Sequence, residues 1–207
     1  MTTGLRERKK AETRQHISDV ASLMFAQRGF DEVTISQVAQ AAGVAKMTVT
    51  NYFPRKEDLV FDRAGAVVAS LAAAVTARAP GESLLTAIRR DYAQAAARAE
   101  VTMGLASPEF ARMIENSPVL VSRGLEMLDQ RERALGDAIA AETGADDPQQ
   151  RIVAAVLASV PRVLYAEGWR RSLAGEPRPQ TIAYLAAAGE RAFERLEPAL
   201  GDYCVKR

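Results

Sequence analysis

The stretch that decides the fold runs from Thr34 to Leu59 and reads TISQVAQAAGVAKMTVTNYFPRKEDL. Its first part has the spacing of a short helix. Thr34 and Gln37 lie three residues apart, as in a capping box, in which each side chain bonds a free backbone N–H of the first turn. Gly43 is predicted to end this helix, because glycine adopts the left-handed conformation that lets the chain turn sharply. The apolar positions of the helix are Ile35, Val38, Ala39 and Ala42.

A second short helix is predicted to begin near Ala45 and to end before Pro54, which has no N–H to donate. Val49 and Phe53 are four residues apart, so they share one helical face and are expected to pack on the first helix. The other faces carry a set of side chains that contains no acidic residue: Lys46, Met47, Thr48, Thr50, Asn51 and Tyr52.

This layout is typical of a helix-turn-helix DNA reader. In the major groove, lysine and asparagine bond the edges of guanine and adenine, and a threonine methyl group contacts the thymine methyl group. Spacing alone leaves an alternative open, because two short helices about a glycine also form small solvated hairpins in many all-α proteins.

Residues 29–60, GFDEVTISQVAQAAGVAKMTVTNYFPRKEDLV, closely resemble the N-terminal domain of the tetracycline-repressor (TetR) family of transcriptional regulators. The resemblance extends from Arg14 to Val60. It rests on the Gly-Phe pair before the first turn, the A-x-x-A-G-V motif and the Y-F-P-x-K-E-D-L ending. Two positions depart from the family's pattern: Ala45 stands where a capping serine is common, and Thr50 where a tyrosine usually contacts the backbone phosphates.

The resemblance implies a homodimeric regulator whose two heads read a palindromic operator and whose second domain responds to a small molecule. We expect base contacts from the exposed face of the second short helix, and phosphate or minor-groove contacts from Tyr52, Lys56 and the basic N-terminal segment. The predicted DNA-binding residues are Thr34, Lys46, Met47, Thr48, Thr50, Asn51, Tyr52, Lys56, Arg6, Lys9 and Lys10.

Length and composition favour two domains. The 207 residues exceed one small domain, and a hydrophobic content of 48% supports a sizeable core. Residues 1–58 are predicted to form the DNA-binding domain, with a flexible basic arm over residues 1–10, and residues 59–207 a ligand-binding and dimerisation bundle. The formal net charge of +1 excludes a global basic field, but residues 1–30 carry six basic and three acidic side chains.

The remainder reads as all-α, with no strand-like alternation. A long helix is predicted from Lys56 to Ala79 as the lever between the domains, followed by helices at 82–102, 107–115, 117–143, 148–173 and 178–199. The last two carry small and apolar residues over much of their circumference. The resemblance implies that they form a four-helix dimer interface with their symmetry mates, and a wholly intrachain core is the alternative.

An effector site is predicted in the companion domain, because its middle helices supply large, adaptable apolar side chains with a few polar anchors. Ordinary bundle packing is the alternative for each residue. Tyr165 and Trp169, four apart on one helix, are the preferred pair. The candidate residues are Tyr92, Met103, Phe110, Met113, Met127, Arg162, Tyr165 and Trp169.

Other classes of function receive less support from the sequence. The lone His16 is far in sequence from the lone Cys204, so a Cys-His nucleophilic pair is not expected, and no catalytic, metal or cofactor residue is predicted. An all-α small-molecule-binding enzyme, or a protein-interaction adaptor without DNA binding, remains the alternative. A cytoplasmic location is expected, since the N-terminus lacks the hydrophobic core of a signal peptide and no apolar run approaches the length of a membrane span.

Overall fold

The computed structural model describes residues 2–144 and 147–206, and over that part of the chain it contains helices and no strand. The predicted all-α fold is confirmed. The α-helices are α1 Thr2–Arg28, α2 Ile35–Ala41, α3 Lys46–Tyr52, α4 Ala64–Thr76, α5 Leu84–Ala97, α6 Pro108–Glu115, α7 Pro118–Thr143, α8 Pro148–Leu173 and α9 Arg178–Leu200, with short 3-10 turns at Lys56–Leu59 and Val101–Met103.

Contacts between residues divide the chain into two compact units. The N-terminal unit comprises the chain up to Ala64 together with Met113–Gly124, and the C-terminal unit comprises Gly65–Arg112 and the chain from Leu125 onward. The N-terminal unit therefore includes the first turns of α7. No local sequence pattern predicts that these turns belong to it. The domain boundary expected at residues 58 and 59 stays a prediction.

The N-terminal unit packs α1, α2 and α3 around a small core. Apolar side chains from all three helices and the following 3-10 turn are excluded from solvent, as burial of the apolar stripe of each helix requires. The core residues are Ile17, Ala21, Phe25, Phe30, Val33, Val38, Val49, Phe53 and Leu59.

The expected flexible arm over residues 1–10 was wrong, because α1 begins at Thr2 and runs through this segment without a break. Its residues are mostly good helix formers, and Arg8 pairs with Glu12 one turn later at 3.4 Å. The Thr13 hydroxyl also donates to the Lys9 carbonyl at 2.9 Å. The side chains from Gly4 to Glu12 are all exposed, so this first part of α1 is a solvated helix.

The single lever helix expected from Lys56 to Ala79 was also wrong. A 3-10 turn at Lys56–Leu59 is followed by a break, and α4 begins only at Ala64. The break has a local cause: the Asp62 carbonyl accepts a hydrogen bond from Arg14 Nη2 at 2.7 Å, and its carboxylate accepts one from Ser18 at 3.0 Å. These two bonds hold Asp62 against α1 at the point where the helix is interrupted.

The C-terminal unit is built around α5, α8 and α9. Tyr92 on α5 lies against α9, where its ring stacks edge-on against Phe193 and its hydroxyl donates to the Leu185 carbonyl at 3.3 Å. Gly189 makes this approach possible, since an added Cβ there would lie 2.4 Å from Tyr92 Cε1. The Tyr92 ring thus packs directly on the α9 backbone at Gly189, in the core of the bundle.

Helix α8 is long and apolar enough to cross a membrane by length and composition, with a mean hydropathy of 1.3 over its best window. The expectation that no apolar run approaches that length was wrong for this helix. The same test is passed by core helices of soluble proteins, and 39% of that window is buried inside this fold.

Candidate functional sites

The turn between α2 and α3 has the predicted geometry. Thr34 caps α2 by accepting from the Gln37 N–H at 3.3 Å, and Gln37 Oε1 accepts from the Thr34 N–H at 2.8 Å, which completes the capping box. Gly43 has a φ of +67°, in the left-handed region. The Val44 N–H then donates to the Ala39 carbonyl at 3.0 Å. These bonds fix the angle at which α3 leaves the turn.

Helix α3 presents a polar edge to solvent and buries its opposite side. Val49 is fully buried against the core of the N-terminal unit. Lys46 and Asn51 are exposed, and Met47 exposes 69% of its surface. Ala45 precedes the helix and makes no side-chain capping bond. The exposed edge of α3 can therefore approach a groove without displacing any core contact.

Three other predicted residues of α3 are less free to read bases. Thr48, Thr50 and Tyr52 are each half-buried. The Thr50 hydroxyl donates back to the Met47 carbonyl at 3.1 Å, a bond within the helix that uses its only hydrogen. The Thr34 hydroxyl is similarly engaged in the capping box. A phosphate contact from Thr34 or Thr50 therefore requires the hydroxyl hydrogen to turn away from its present acceptor.

Lys56 is folded back on its own unit. Its ammonium lies 4.1 Å above the Phe30 ring and donates to the Asp31 carbonyl at 3.3 Å. Burial lowers the pKa of Lys56, against the raising effect of Asp31, Glu57 and Glu32. Lys56 thus stabilises the N-terminal unit, and two of its three ammonium hydrogens remain for a phosphate. Arg6, Lys9 and Lys10, in contrast, are exposed along the start of α1.

A capped helix, a glycine turn and a second helix with an exposed polar edge define a helix-turn-helix DNA-binding protein. Residues 17–62 match the family model described as bacterial regulatory proteins, tetR family. Over those residues the chain matches the TetR family of transcriptional regulators, as the sequence indicated. It is a DNA-binding regulator of transcription, and the alternative of an enzyme or an adaptor is not favoured.

Individual relatives agree with this assignment. The transcriptional regulator TcmR of Streptomyces glaucescens is 28% identical over 205 residues, covering 95% of this chain and 88% of its own. The regulator AcrR of Shigella flexneri is 34% identical over 76 residues, or 35% of each chain. The fold is similar to that of Salmonella enterica GusR, with a TM-score of 0.53 and 15% identity over 92% of this chain and 96% of that one.

The predicted effector residues lie in several different surroundings. Tyr92, Met103 and Met127 are buried, and the first two belong to the main core cluster of the C-terminal unit. Phe110 and Trp169 do come together, with ring centroids 6.3 Å apart in an edge-to-face contact. They form an aromatic pair on one side of α8.

The other three candidates lie in different settings. Tyr165 is half-buried, and burial raises the pKa of its phenol against the lowering effect of Arg131. Arg162 is exposed and pairs with Glu132 at 3.5 Å, so it is a surface residue. Met113 belongs to the N-terminal unit, unlike the rest of the set. The site residues of the effector region stay predictions.

Two open grooves lie in the C-terminal unit, away from the preferred Tyr165 and Trp169 pair. One has a volume of about 430 Å³ between α7 and α8, and the other about 370 Å³ between α5 and α9. Tyr92 lines the second groove. Over residues 2–144 and 147–206 there is no group of three or more His, Cys, Asp or Glu side chains arranged to hold a metal ion.

The sequence reasoning missed a buried cation, Arg131, which lies at a core position of α7. A signal for it existed, since Met127, Leu135 and Ile139 mark a buried face with a spacing of four and Arg131 falls between them. A charged residue in the middle of an apolar helical stripe is a reason to look for a functional role.

Proposed function

We propose that the protein is a homodimeric repressor that covers a palindromic operator and is released from it by a small, largely apolar effector. The observation that carries this proposal is the exposed edge of α3, which is formed by Lys46, Met47 and Asn51. The capping box of α2 and the buried core of the N-terminal unit support that edge. The simplest effect of a dimer bound to promoter DNA is to block RNA polymerase. Such a protein acts in the cytoplasm, where the operator is, and carries out no catalysis.

The contacts to DNA divide into two classes in this proposal. Lys46, Met47 and Asn51 read base edges, with Thr48 beside them, because they occupy the outward edge of α3. Thr34, Thr50, Tyr52 and Lys56 bind phosphates, and Arg6, Lys9 and Lys10 follow the backbone or the minor groove from the start of α1. Phosphate contacts position the protein, and base contacts supply the sequence preference.

An exposed apolar stripe on α8 supports the homodimer. Ile152 and Val163 expose 56% and 64% of their surfaces, and they lie eleven residues apart, which brings them to one face of the helix. Ser159 lies on the same face between them and is also exposed. Large apolar side chains in such a row are costly in water and are suited to pack against the same stripe of a second copy.

Two heads are needed because one α3 helix of seven residues offers few base contacts. A dimer reads two half-sites separated by roughly 34–36 Å, one turn of DNA. The effector acts by favouring a state in which this separation is wrong, and it weakens DNA binding only by as much as it prefers that state.

Helix α7 is the candidate for transmitting the effect. Its first turns belong to the N-terminal unit and its later turns to the C-terminal unit. Arg123, on the first part, donates to Asp58 in the 3-10 turn that follows α3. Because an α-helix moves largely as a rigid rod, a ligand that shifts α7 also pulls on this bond.

A mobility-shift experiment tests the proposed function. Purified protein is titrated against DNA fragments from upstream of its own and neighbouring genes, beside Asn51→Ala as a control. Thermal-shift measurements with a panel of metabolites then identify a stabilising ligand, which is added to the DNA complex. A fragment that is bound selectively and released by a stabilising ligand is the expected result. Equal binding to all fragments, or release by none of the stabilising ligands, contradicts it.

A further inference from the structure

Among its described residues, the C-terminal unit contains two buried arginines that differ in how well their guanidinium groups are bonded. Arg78 is 1% exposed. All five of its N–H donors are used, by the Glu142 carboxylate, which takes two, and by the carbonyls of Glu82, Val75 and Cys204. Arg78 is therefore a structural group whose charge and hydrogen bonds are internally satisfied.

Arg131 is 4% exposed but is not satisfied in this way. Its Nε donates to the Ser70 hydroxyl at 2.9 Å, and the buried Nη1 has no hydrogen-bond partner among the described residues. Asp91 attracts it electrostatically, yet within the described chain the two form no ion pair. A buried cation with an unused donor is costly, and it persists where something else supplies the acceptor.

The surroundings of Arg131 are suited to a molecule that is apolar except at one end. Met127 and Leu135, one turn away on either side along α7, are buried. Tyr92 and Tyr165 lie near enough to interact with the charge of Arg131. Burial raises the pKa of both phenols, so they stay neutral and offer aromatic surface and hydroxyl groups rather than a competing anion.

We propose that Arg131 is the polar anchor of the effector site, and that the effector is an apolar molecule carrying an oxyanion, either a carboxylate or an ionised phenol. An oxyanion accepts charge-assisted hydrogen bonds from a guanidinium, with the geometry that the free Nη1 provides. This inference rests on the proposed function, because it identifies the chemistry of the ligand for that same site. Arg162, a polar candidate for the effector site from the sequence, is exposed and paired with Glu132 at the surface.

A first experiment needs no ligand and compares thermal unfolding of Arg131→Met and Arg78→Met. Methionine keeps an unbranched apolar stem without the charge. Arg131→Met is expected to unfold at the wild-type temperature or above it, because an unsatisfied buried charge is removed, whereas Arg78→Met unfolds lower. A decrease for Arg131→Met as large as that for Arg78→Met makes Arg131 a structural residue and overturns the proposal.

A second experiment measures ligand chemistry through the fluorescence of Trp169, the one tryptophan of the sequence. The probes are 2-naphthoate and decanoate, each compared with its neutral amide, and 4-nitrophenol compared with the neutral 4-nitroanisole at a mildly alkaline pH at which the nitrophenol is ionised. At least one oxyanion is expected to bind about tenfold or more tighter than its neutral partner. Arg131→Met should abolish this preference, and Arg133→Met, at an exposed arginine of the same helix that pairs with Asp129, should retain it.

The results separate the two proposals. No saturable binding of any oxyanion probe, equal binding of the neutral partners, or a preference that survives in Arg131→Met overturns the anchor, even if selective DNA binding is intact. An Arg131-dependent preference in a protein that binds all DNA equally supports the anchor and contradicts the proposed regulatory function instead.

Discussion

Arg123 Nε donates to Asp58 Oδ1 at 3.0 Å, and both side chains are half-buried within the N-terminal unit. The other oxygen of Asp58 accepts from the Arg55 N–H at 3.0 Å, so one carboxylate both caps the 3-10 turn after α3 and holds the start of α7. The pair therefore connects the end of the helix-turn-helix to a helix that also carries Arg131.

Breaking this pair is expected to lower stability and to uncouple the effector. Asp58→Asn and Arg123→Met should each reduce the free energy of unfolding, with a coupling in the double-mutant cycle of about 1 kcal/mol for a half-buried pair. Chemical denaturation measures this term. The same variants should retain operator binding but need more effector for release. Effector response identical to wild type in both variants contradicts a role for α7 in transmission.

Asn51 is the most direct test of base reading. Asn51→Ala should cost roughly 1–3 kcal/mol on the operator, because a bidentate contact to adenine is lost, while binding to unrelated DNA is unchanged. Fluorescence anisotropy with the operator and a scrambled duplex measures both affinities. Equal losses on the two duplexes would reassign Asn51 to the phosphate backbone.

Lys56 remains a predicted phosphate contact although its ammonium also packs on Phe30. Lys56→Ala should weaken binding to all DNA and reduce the slope of log affinity against log salt by about one unit. Lys206→Ala is the matched control, since Lys206 donates to the Thr76 carbonyl within the C-terminal unit. A slope that stays at the wild-type value in Lys56→Ala confines Lys56 to its structural role.

Gly104 should be far less tolerant of alanine than Gly144. Both have a left-handed backbone, with φ values of +72° and +70°. A Cβ at Gly104 would lie 2.1 Å from the Tyr165 carbonyl oxygen, whereas one at Gly144 meets open space. Gly144→Ala is expected to cost about 1 kcal/mol of backbone strain, and Gly104→Ala at least twice that, roughly 2 kcal/mol or more. Similar denaturation midpoints for both variants would show that the packing at Tyr165 is loose.

Trp169 should report effector binding, because it stacks on Phe110 and lies one turn from Tyr165. An effector should change its emission over the concentration range in which it releases DNA. Tyr165→Ala should weaken the effector response and leave operator affinity within about threefold. If release is unchanged in both Tyr165→Ala and Trp169→Ala, the two residues are bundle packing and the effector binds elsewhere.

The features that could be predicted from the sequence are those with local causes. The capping box of Thr34, the left-handed turn at Gly43 and the burial of Val49 all follow from side chains within a few residues of each other. Most helix ends in the C-terminal unit were also near the expected positions, since proline and glycine mark them. One exception is α5, which ends at Ala97, earlier than expected.

The features that could not be predicted depend on distant partners. The break before α4 depends on Arg14 and Ser18, more than 40 residues away along the chain, which bind Asp62. The complete bonding of Arg78 and the unpartnered Nη1 of Arg131 depend on which helices pack around them. The arm was misjudged for a different reason, because charged side chains suggested disorder where good helix formers continue α1.

Dimeric operator binding is tested by selection of bound sequences from a random DNA library, followed by determination of the mass of the complex on the enriched duplex. We expect an inverted repeat with half-sites about one helical turn apart and an even number of protomers on each duplex. No enriched sequence, or a single half-site bound by one protomer, would contradict a dimeric operator-binding regulator.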